Sequence, residues 1–178
     1  MNTQLAENNF IFVPSLISAE EARRLAYHFE LEVDEIGTLN DCQVNGSPSV
    51  CDYRPFIKLQ LDLLPKLDEI TGLRLLPTYN YARTYKHGAV LDRHIDRAAC
   101  EISVTLNLSK TVDWPICIQK PNGEEVCLEL QPGEGMVYLG CVAEHWRDAY
   151  EGHKHTQVFF HYVNADGQRW WAYYDKRK

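Results

Sequence analysis

The feature that most limits how this chain can fold is the series of short β-rich segments that follows Gly72. Most of the segments contain β-branched and aromatic residues, and all but the first are shorter than a typical helix. Asn122-Gly123 lies between two of the segments and is a strong hairpin signal, while Pro132-Gly133 marks another turn. The predicted strands are residues 73–85, 101–108, 115–119, 125–130, 135–139 and 156–163.

A short strand and a helix are predicted ahead of this series. Phe10–Val13 is β-rich, and Ser18 and Glu21 then stand at the spacing of a capping box. The apolar residues that follow recur at helical spacing, so a helix is expected over residues 19–30.

A second apolar stripe predicts a helix from Arg54 or Pro55 to Thr71. The intervening residues 31–53 are interrupted by glycine, asparagine and proline, which is typical of a loop; it could be a plain surface excursion or a flap over a site. Helices followed by strands favour a mainly β fold with flanking helices, namely a double-stranded β-helix (jelly-roll) core with the N-terminal helices packed on one sheet. We expect residues 1–178 to form a single domain, since no linker or repeat is visible.

The charge balance argues against a nucleic-acid partner. The chain has 18 basic and 25 acidic residues, a formal net charge of −7, whereas nucleic-acid binders usually present a basic face. The first ten residues lack the basic start and the apolar core of a secretory leader, and the run Phe10–Val13 is too short to span a bilayer. We therefore expect a cytoplasmic protein without a membrane partner.

The cysteines are expected to be reduced. They are widely spaced, no C-x-x-C pair occurs, and several fall in predicted strands, where a thiol packs as a small core side chain. The six positions are Cys42, Cys51, Cys100, Cys117, Cys127 and Cys141.

The tripeptide His94-Ile95-Asp96 is the clearest candidate for chemistry. Residues i and i+2 of an extended segment point to the same side, so this imidazole and this carboxylate can reach one ion. A third candidate, His145, follows a predicted strand at which a barrel could return to the same end. Two histidines and one carboxylate on one face of a metal form the facial triad of non-heme Fe(II) oxygenases. The alternative is that His94 and Asp96 form a hydrogen-bonded pair on the surface without a metal.

Around this tripeptide the sequence resembles the prolyl 4-hydroxylase-like branch of the 2-oxoglutarate and Fe(II)-dependent dioxygenases. Tyr85 stands nine residues before His94, and Pro132-Gly133 opens a stretch that ends at Tyr138 and resembles the strand before the family's distal histidine. The family's tyrosine three residues before H-x-D is replaced by Leu91, so the resemblance does not extend to prolyl specificity.

The resemblance implies that His94, Asp96 and His145 bind iron and that Tyr85 donates a hydrogen bond to 2-oxoglutarate. It also implies a basic residue near position 155 for the far carboxylate of that cosubstrate. Three residues could supply this group, and we favour Lys154 because a permanent cation suits a carboxylate better than a histidine near its pKa. They are Lys154, His155 and Arg147.

The implied activity is a hydroxylase that uses Fe(II), 2-oxoglutarate and O2, with ascorbate as an optional reductant, and acts on a small molecule, an amino acid or a peptide. Arg93, Arg97 and Trp114 are the candidate residues on the substrate side, although a role in salt bridges or in covering the core is the plainer interpretation. Two other functions compete: a cupin-like metal-binding protein without 2-oxoglutarate turnover, and a binding module that has lost catalysis. A cation and Tyr85 converging beside the metal would favour the oxygenase.

Overall fold

The computed structural model describes residues 1–39, 43, 44 and 46–175. In that part of the chain the helices are α1 (Thr3–Asn8), α2 (Ala19–Ile36), α3 (Arg54–Asp62) and α4 (Leu64–Thr71), with short 3₁₀ turns at Ala98–Cys100 and Trp170–Tyr174. The strands are β1 (Phe10–Val13), β2 (Ser49–Cys51), β3 (Leu75–Lys86), β4 (Leu91–His94), β5 (Ile102–Lys110), β6 (Ile116–Gln119), β7 (Glu125–Leu128), β8 (Gly135–Tyr138), β9 (His145–Arg147) and β10 (Lys154–Asn164).

The described strands form two antiparallel sheets. The larger has the order β1-β8-β5-β10-β3-β2 and the smaller the order β4-β9-β6-β7. Side chains alternate between the two faces of each strand, so the long strands β3, β5 and β10 serve two cores. One core lies between the larger sheet and the helices, and includes Phe29, Leu67, Val158 and Phe160. A second core joins side chains of both sheets, including Tyr85 and Ile118. The predicted jelly roll with helices packed on one sheet is confirmed.

Helix α2 begins where the sequence predicts and continues beyond its predicted end. The Ser18 hydroxyl caps the helix by accepting a hydrogen bond from the Glu21 amide at 3.1 Å. The buried stripe continues to Val33, so burial supports another turn after residue 30 and the helix ends at Ile36. The predicted loop 31–53 is accordingly shorter, because its first residues are helical and Ser49–Cys51 forms a strand.

The single helix predicted up to Thr71 is wrong at one point, because the structure divides it into α3 and α4 at Leu63. Pro65 explains the break, since proline has no amide hydrogen and its ring clashes with the carbonyl four residues earlier. Gly72 then ends α4 in the left-handed conformation, with φ of 64°.

The cysteine prediction is wrong for one pair. Cys117 and Cys127 are opposite each other on β6 and β7 and form a disulfide. Cys51, Cys100 and Cys141 are free, as expected, and Cys42 lies outside the described residues. The disulfide therefore links the two strands of the Asn122-Gly123 hairpin.

No helix in the described ranges combines the length and apolar character needed to cross a membrane.

Phe29→Ala is expected to lower the free energy of unfolding by about 3–5 kcal/mol, because a large cavity would open in the helix-facing core. The Phe29 ring is fully buried and lies 5.2 Å from the ring of Tyr53 and 5.5 Å from that of Phe56, measured between centroids. Urea unfolding followed by circular dichroism measures the change. Tyr27→Ala on the same helix is the control, since Tyr27 is 62 % exposed and its loss should change stability by less than about 0.5 kcal/mol. Equal effects of the two substitutions would contradict the core assignment.

Candidate metal and cosubstrate site

The three predicted metal ligands converge at the edge of the smaller sheet. His94 ends β4 and is paired with His145 at the start of β9, which places the two imidazole centroids 4.3 Å apart. Asp96 follows two residues after His94, and its Oδ1 lies 3.8 Å from His94 Nε2 and 3.7 Å from His145 Nε2. One ligand atom from each residue lies within 4.8 Å of the others, so a single ion could contact all three.

Backbone carbonyls orient both imidazoles. His94 Nδ1 lies 2.7 Å from the Asp92 carbonyl oxygen, and His145 Nδ1 lies 3.0 Å from that of Ala143. Each contact requires Nδ1 to carry the proton and to donate, so the lone pair of each neutral ring is on Nε2, facing Asp96. Metal-bound histidines are held by this kind of second hydrogen bond.

Burial keeps His145 in the form that a metal requires. Burial lowers the pKa of His145, whose neutral form is the ligand. Burial, reinforced by the charge of Asp96, raises the pKa of the neighbouring Tyr138 well above its usual value. Tyr138 therefore stays a neutral phenol beside the carboxylate.

The three residues open into a cavity of about 480 Å³. Its walls are aromatic and come from the inner faces of the larger sheet, and Gln43 from the shortened loop also reaches it, with Nε2 3.0 Å from His94 Nε2. The flap interpretation of this loop is compatible with that contact. The aromatic wall residues are Tyr79, Tyr81, Tyr85, Tyr138 and Phe159.

Tyr85, the residue that the resemblance assigns to 2-oxoglutarate, lies on the wall of this cavity. Its ring is almost completely buried and packs edge-on against Trp114, with centroids 4.8 Å apart. This contact fixes the ring and leaves the phenol as a hydrogen-bonding group in the aromatic wall.

Lys154 is the residue that the sequence favours as the cosubstrate anchor. Lys154 faces away from the cavity, and its ammonium forms an ion pair with Glu30 of α2. Burial alone would raise the pKa of Glu30, but hydrogen bonds from Lys154, Thr156 and Ser109 hold it below its usual value. The register of β10 is the reason: His155 points inward, so the preceding lysine must point towards the helices.

His155 faces the interior but carries no charge. Burial, together with the charge of nearby Arg147, holds the pKa of His155 well below its usual value. Its Nε2 donates a hydrogen bond to Gln157 Oε1 at 2.9 Å. A neutral imidazole already engaged in this way is a weak partner for a carboxylate.

Arg147 is the third candidate donor, and unlike Lys154 and His155 it is a buried cation without an ion-pair partner in the described part of the chain. Its side chain is 1 % exposed and stands on the same face of β9 as His145, two residues further along the strand. One guanidinium nitrogen, Nη1, donates to the Trp114 carbonyl, and the guanidinium carbon lies 4.7 Å from the centroid of the Trp114 ring. Nε and Nη2 have no hydrogen-bond partner within the described ranges. Burial lowers the pKa of Arg147 to about 10, so the group remains a cation at neutral pH.

The three candidates for the substrate side have different positions. Arg93 lies outside the cavity, between Glu125 and Glu144 and over the ring of Trp146 at 3.5 Å. Trp114 is buried behind Tyr85, and its Nε1 donates to the Asp148 carbonyl at 2.7 Å. Of the three, Arg97 alone lines the cavity.

Arg97 contacts two parts of the chain. Its guanidinium carbon lies 5.2 Å from the centroid of the Tyr79 ring, and its Nη2 donates to the Asp175 carbonyl at 2.9 Å. The guanidinium also forms an ion pair with the Asp175 carboxylate at 3.3 Å. The outer wall of the cavity is thus joined to the C-terminal turn.

Sequence reasoning missed several residues of the site. Ser103 contacts Asp96, and His161 lines the cavity. Inward positions on β3 and β10 alternate with period two, so counting back from Tyr85 in steps of two would have passed Arg83 and identified Tyr81 and Tyr79. No comparable signal identifies Gln43, because it lies in an irregular loop.

No family model and no curated protein sequence matches the chain. Solved structures do match. A prolyl-4-hydroxylase from Pseudomonas putida has a TM-score of 0.73 at 17 % identity, over 90 % of this chain and 95 % of that one. HygX from Streptomyces hygroscopicus, with nickel and 2-oxoglutarate bound, has a TM-score of 0.71 at 13 % identity, over 91 % and 85 % of the two chains.

A third match differs in its reaction. SnoN from nogalamycin biosynthesis is described as a non-heme alpha ketoglutarate dependent epimerase, and it has a TM-score of 0.74 at 14 % identity, over 91 % of this chain and 80 % of that one. Identities this low establish the fold and leave the reaction open. The chain therefore has the double-stranded β-helix fold of prolyl-4-hydroxylase and of these 2-oxoglutarate-dependent proteins.

Proposed function

We propose that this chain, acting as a single domain over residues 1–178, is an Fe(II)- and 2-oxoglutarate-dependent oxygenase. His94, Asp96 and His145 would hold the metal. The donor set suits that ion: two neutral imidazoles and one carboxylate, all on one side, leave the other side free for cosubstrate and O2. Similar folds described with 2-oxoglutarate bound, such as that of HygX, support the proposal.

The observation that carries the proposal is the unpaired, buried guanidinium of Arg147. A buried cation with two free donors is costly unless an anion meets it, and within the described ranges none of its neighbours supplies one. An anion from outside the chain would satisfy both donors at once, since guanidinium and carboxylate match each other in a two-bond geometry. We therefore assign the far carboxylate of 2-oxoglutarate to Arg147, in place of Lys154.

The other residues of the site would orient and protect the cosubstrate. Tyr85 offers a phenol hydrogen to a carboxylate oxygen, and the aromatic walls keep water away, which strengthens each charged contact. Bound iron with 2-oxoglutarate would supply the oxidising chemistry, with release of succinate and CO2 and hydroxylation of a C–H bond. A small molecule, an amino acid or a peptide would lie on the side of Arg97, Tyr79 and Phe159. We also propose a cytoplasmic location. The net charge of −7 supports a function without a nucleic-acid partner.

An anaerobic titration tests this function. Protein purified without oxygen is mixed with Fe(II) and then with 2-oxoglutarate, and the visible spectrum is followed for the weak metal-to-ligand charge-transfer band. Mixtures lacking either the metal or the cosubstrate are the controls. A band that requires both would support metal and cosubstrate binding at one site. Stoichiometric metal without a band would contradict the oxygenase and favour a cupin-like metal-binding protein.

A further inference from the structure

The two oxygens of the Asp96 carboxylate have different surroundings. Oδ1 faces the Nε2 atoms of His94 and His145, at 3.8 Å and 3.7 Å. Oδ2 faces away from them and lies 2.8 Å from the hydroxyl oxygen of Ser103, a fully buried residue on β5. The backbone amide of Asp96 donates to the Gly140 carbonyl at 2.8 Å, so both ends of the residue are held.

The direction of the Ser103 hydroxyl follows from its neighbours. It has one hydrogen and lies within reach of Asp96 Oδ2 at 2.8 Å, of the Cys100 carbonyl at 3.2 Å and of the Tyr138 phenol. The carboxylate is the nearer and the charged acceptor, so it receives the hydrogen. His161 Nδ1, at 3.0 Å, must then be the donor to the serine oxygen. His161 is itself packed against the Tyr79 ring, with centroids 4.6 Å apart, which fixes the imidazole.

The space around Oδ2 is closed on its other side by the backbone at Gly140. A β-carbon at this position would lie 2.5 Å from Asp96 Oδ2, 2.7 Å from the Ser103 hydroxyl and 2.3 Å from the Cys100 carbonyl oxygen. Real β-carbons do not approach other atoms so closely. Glycine is therefore required for the carboxylate and the serine to meet here, and with the serine in place the carboxylate has little room to rotate.

We propose that Ser103, with its hydroxyl directed by His161, is a positioning residue that presents Asp96 to the metal through Oδ1 alone. This inference rests on the proposed function. A carboxylate with one oxygen engaged by serine occupies one metal position. Without the serine, both oxygens could turn to the metal, and one of the positions that the cosubstrate or O2 needs would be taken. Ser103 would thus govern both the affinity for metal and the number of open positions.

The test uses Co(II), whose visible absorption responds to coordination number and whose affinity is measured by competition with a chelator. Ser103→Ala is expected to bind Co(II) about 10- to 100-fold more weakly than the unmodified protein, with a changed spectrum, as is usual for groups that orient metal ligands. Ser103→Thr keeps the hydroxyl and is expected to restore both affinity and spectrum. Thr105→Val is the matched control, because Thr105 is the next residue on the same face of β5 and its hydroxyl accepts from Gln157 instead.

His161 supplies a second pair of variants in case Ser103→Ala does not fold, which thermal unfolding of the metal-free proteins would show. Asparagine carries an amide donor near the position of Nδ1, so His161→Asn should retain the spectrum, whereas His161→Leu should lose it. Unchanged affinity and spectrum in both Ser103→Ala and His161→Leu would overturn the inference while leaving the metal site intact. Failure of the unmodified protein to bind Co(II) would instead overturn the proposed function, and the inference with it.

Discussion

Replacing Asp96 with alanine is expected to weaken Fe(II) binding by more than about 100-fold and to remove 2-oxoglutarate turnover. The loss exceeds the 10- to 100-fold typical of residues that only orient ligands, because a ligand itself is removed. It also leaves two neutral imidazoles without the negative charge that helps to hold a dication. Metal content after anaerobic gel filtration and succinate release measure the two effects.

Asp92→Asn is the control for this substitution. Asp92 lies on the same segment and also lines the cavity, and its backbone carbonyl, which the substitution leaves in place, accepts from His94. Removing its charge should therefore leave metal binding close to that of the unmodified protein. A loss in Asp92→Asn that equals the loss in Asp96→Ala would mean that general electrostatics, and not ligation, holds the ion.

Replacing Arg147 with methionine is expected to raise the KM for 2-oxoglutarate by roughly 30- to 4000-fold. This range corresponds to about 2–5 kcal/mol, the usual cost of removing one partner of a buried, hydrogen-bonded charge pair. Methionine has a similar length and no charge, so the variant should fold. It also removes an unpaired buried cation from the cosubstrate-free protein. Steady-state kinetics and isothermal titration with 2-oxoglutarate measure the change.

Lys154→Met is the matched control, because it removes the cation that pairs with Glu30 on the helix side. It should lower stability and leave the KM for 2-oxoglutarate unchanged. Added 2-oxoglutarate should raise the thermal midpoint of the metal-loaded Lys154→Met protein but not that of Arg147→Met. The reverse result would restore Lys154 as the anchor and contradict the assignment of Arg147.

The convergence of His94, Asp96 and His145 could be predicted from the sequence because their arrangement is largely local. His94 and Asp96 share a face through their spacing alone, and His145 needed only the return of one strand. Local spacing does not predict which residue would bind the far carboxylate of 2-oxoglutarate. Lys154 and His155 are neighbours, so a shift of one residue decides which of them faces inward, and composition does not specify that shift. The same period-two reasoning, applied two residues past His145, would have favoured Arg147.

The disulfide shows the same dependence on register. A two-residue turn at Asn122-Gly123 would place Cys117 opposite Leu128, and the thiols would lie on different faces. The observed turn is longer, with the Lys120 amide donating to the Glu124 carbonyl at 2.8 Å, and Cys117 is opposite Cys127. One residue in the turn therefore decides whether the pair can form. The break between α3 and α4 does not depend on register. It could have been predicted, because Pro65 is visible in the sequence.

The placement of His145 and Arg147 on one strand has a consequence for the choice of cosubstrate. Their separation is set by the covalent backbone of β9, about 6–7 Å for two residues, and not by how the two sheets pack. Small movements of one sheet against the other would leave the spacing of His145 and Arg147 unchanged. A diacid shorter or longer by one carbon could not be accommodated by such movements. We therefore expect the site to select 2-oxo diacids strictly by length, while the cavity walls from the larger sheet remain free to adapt to different substrates.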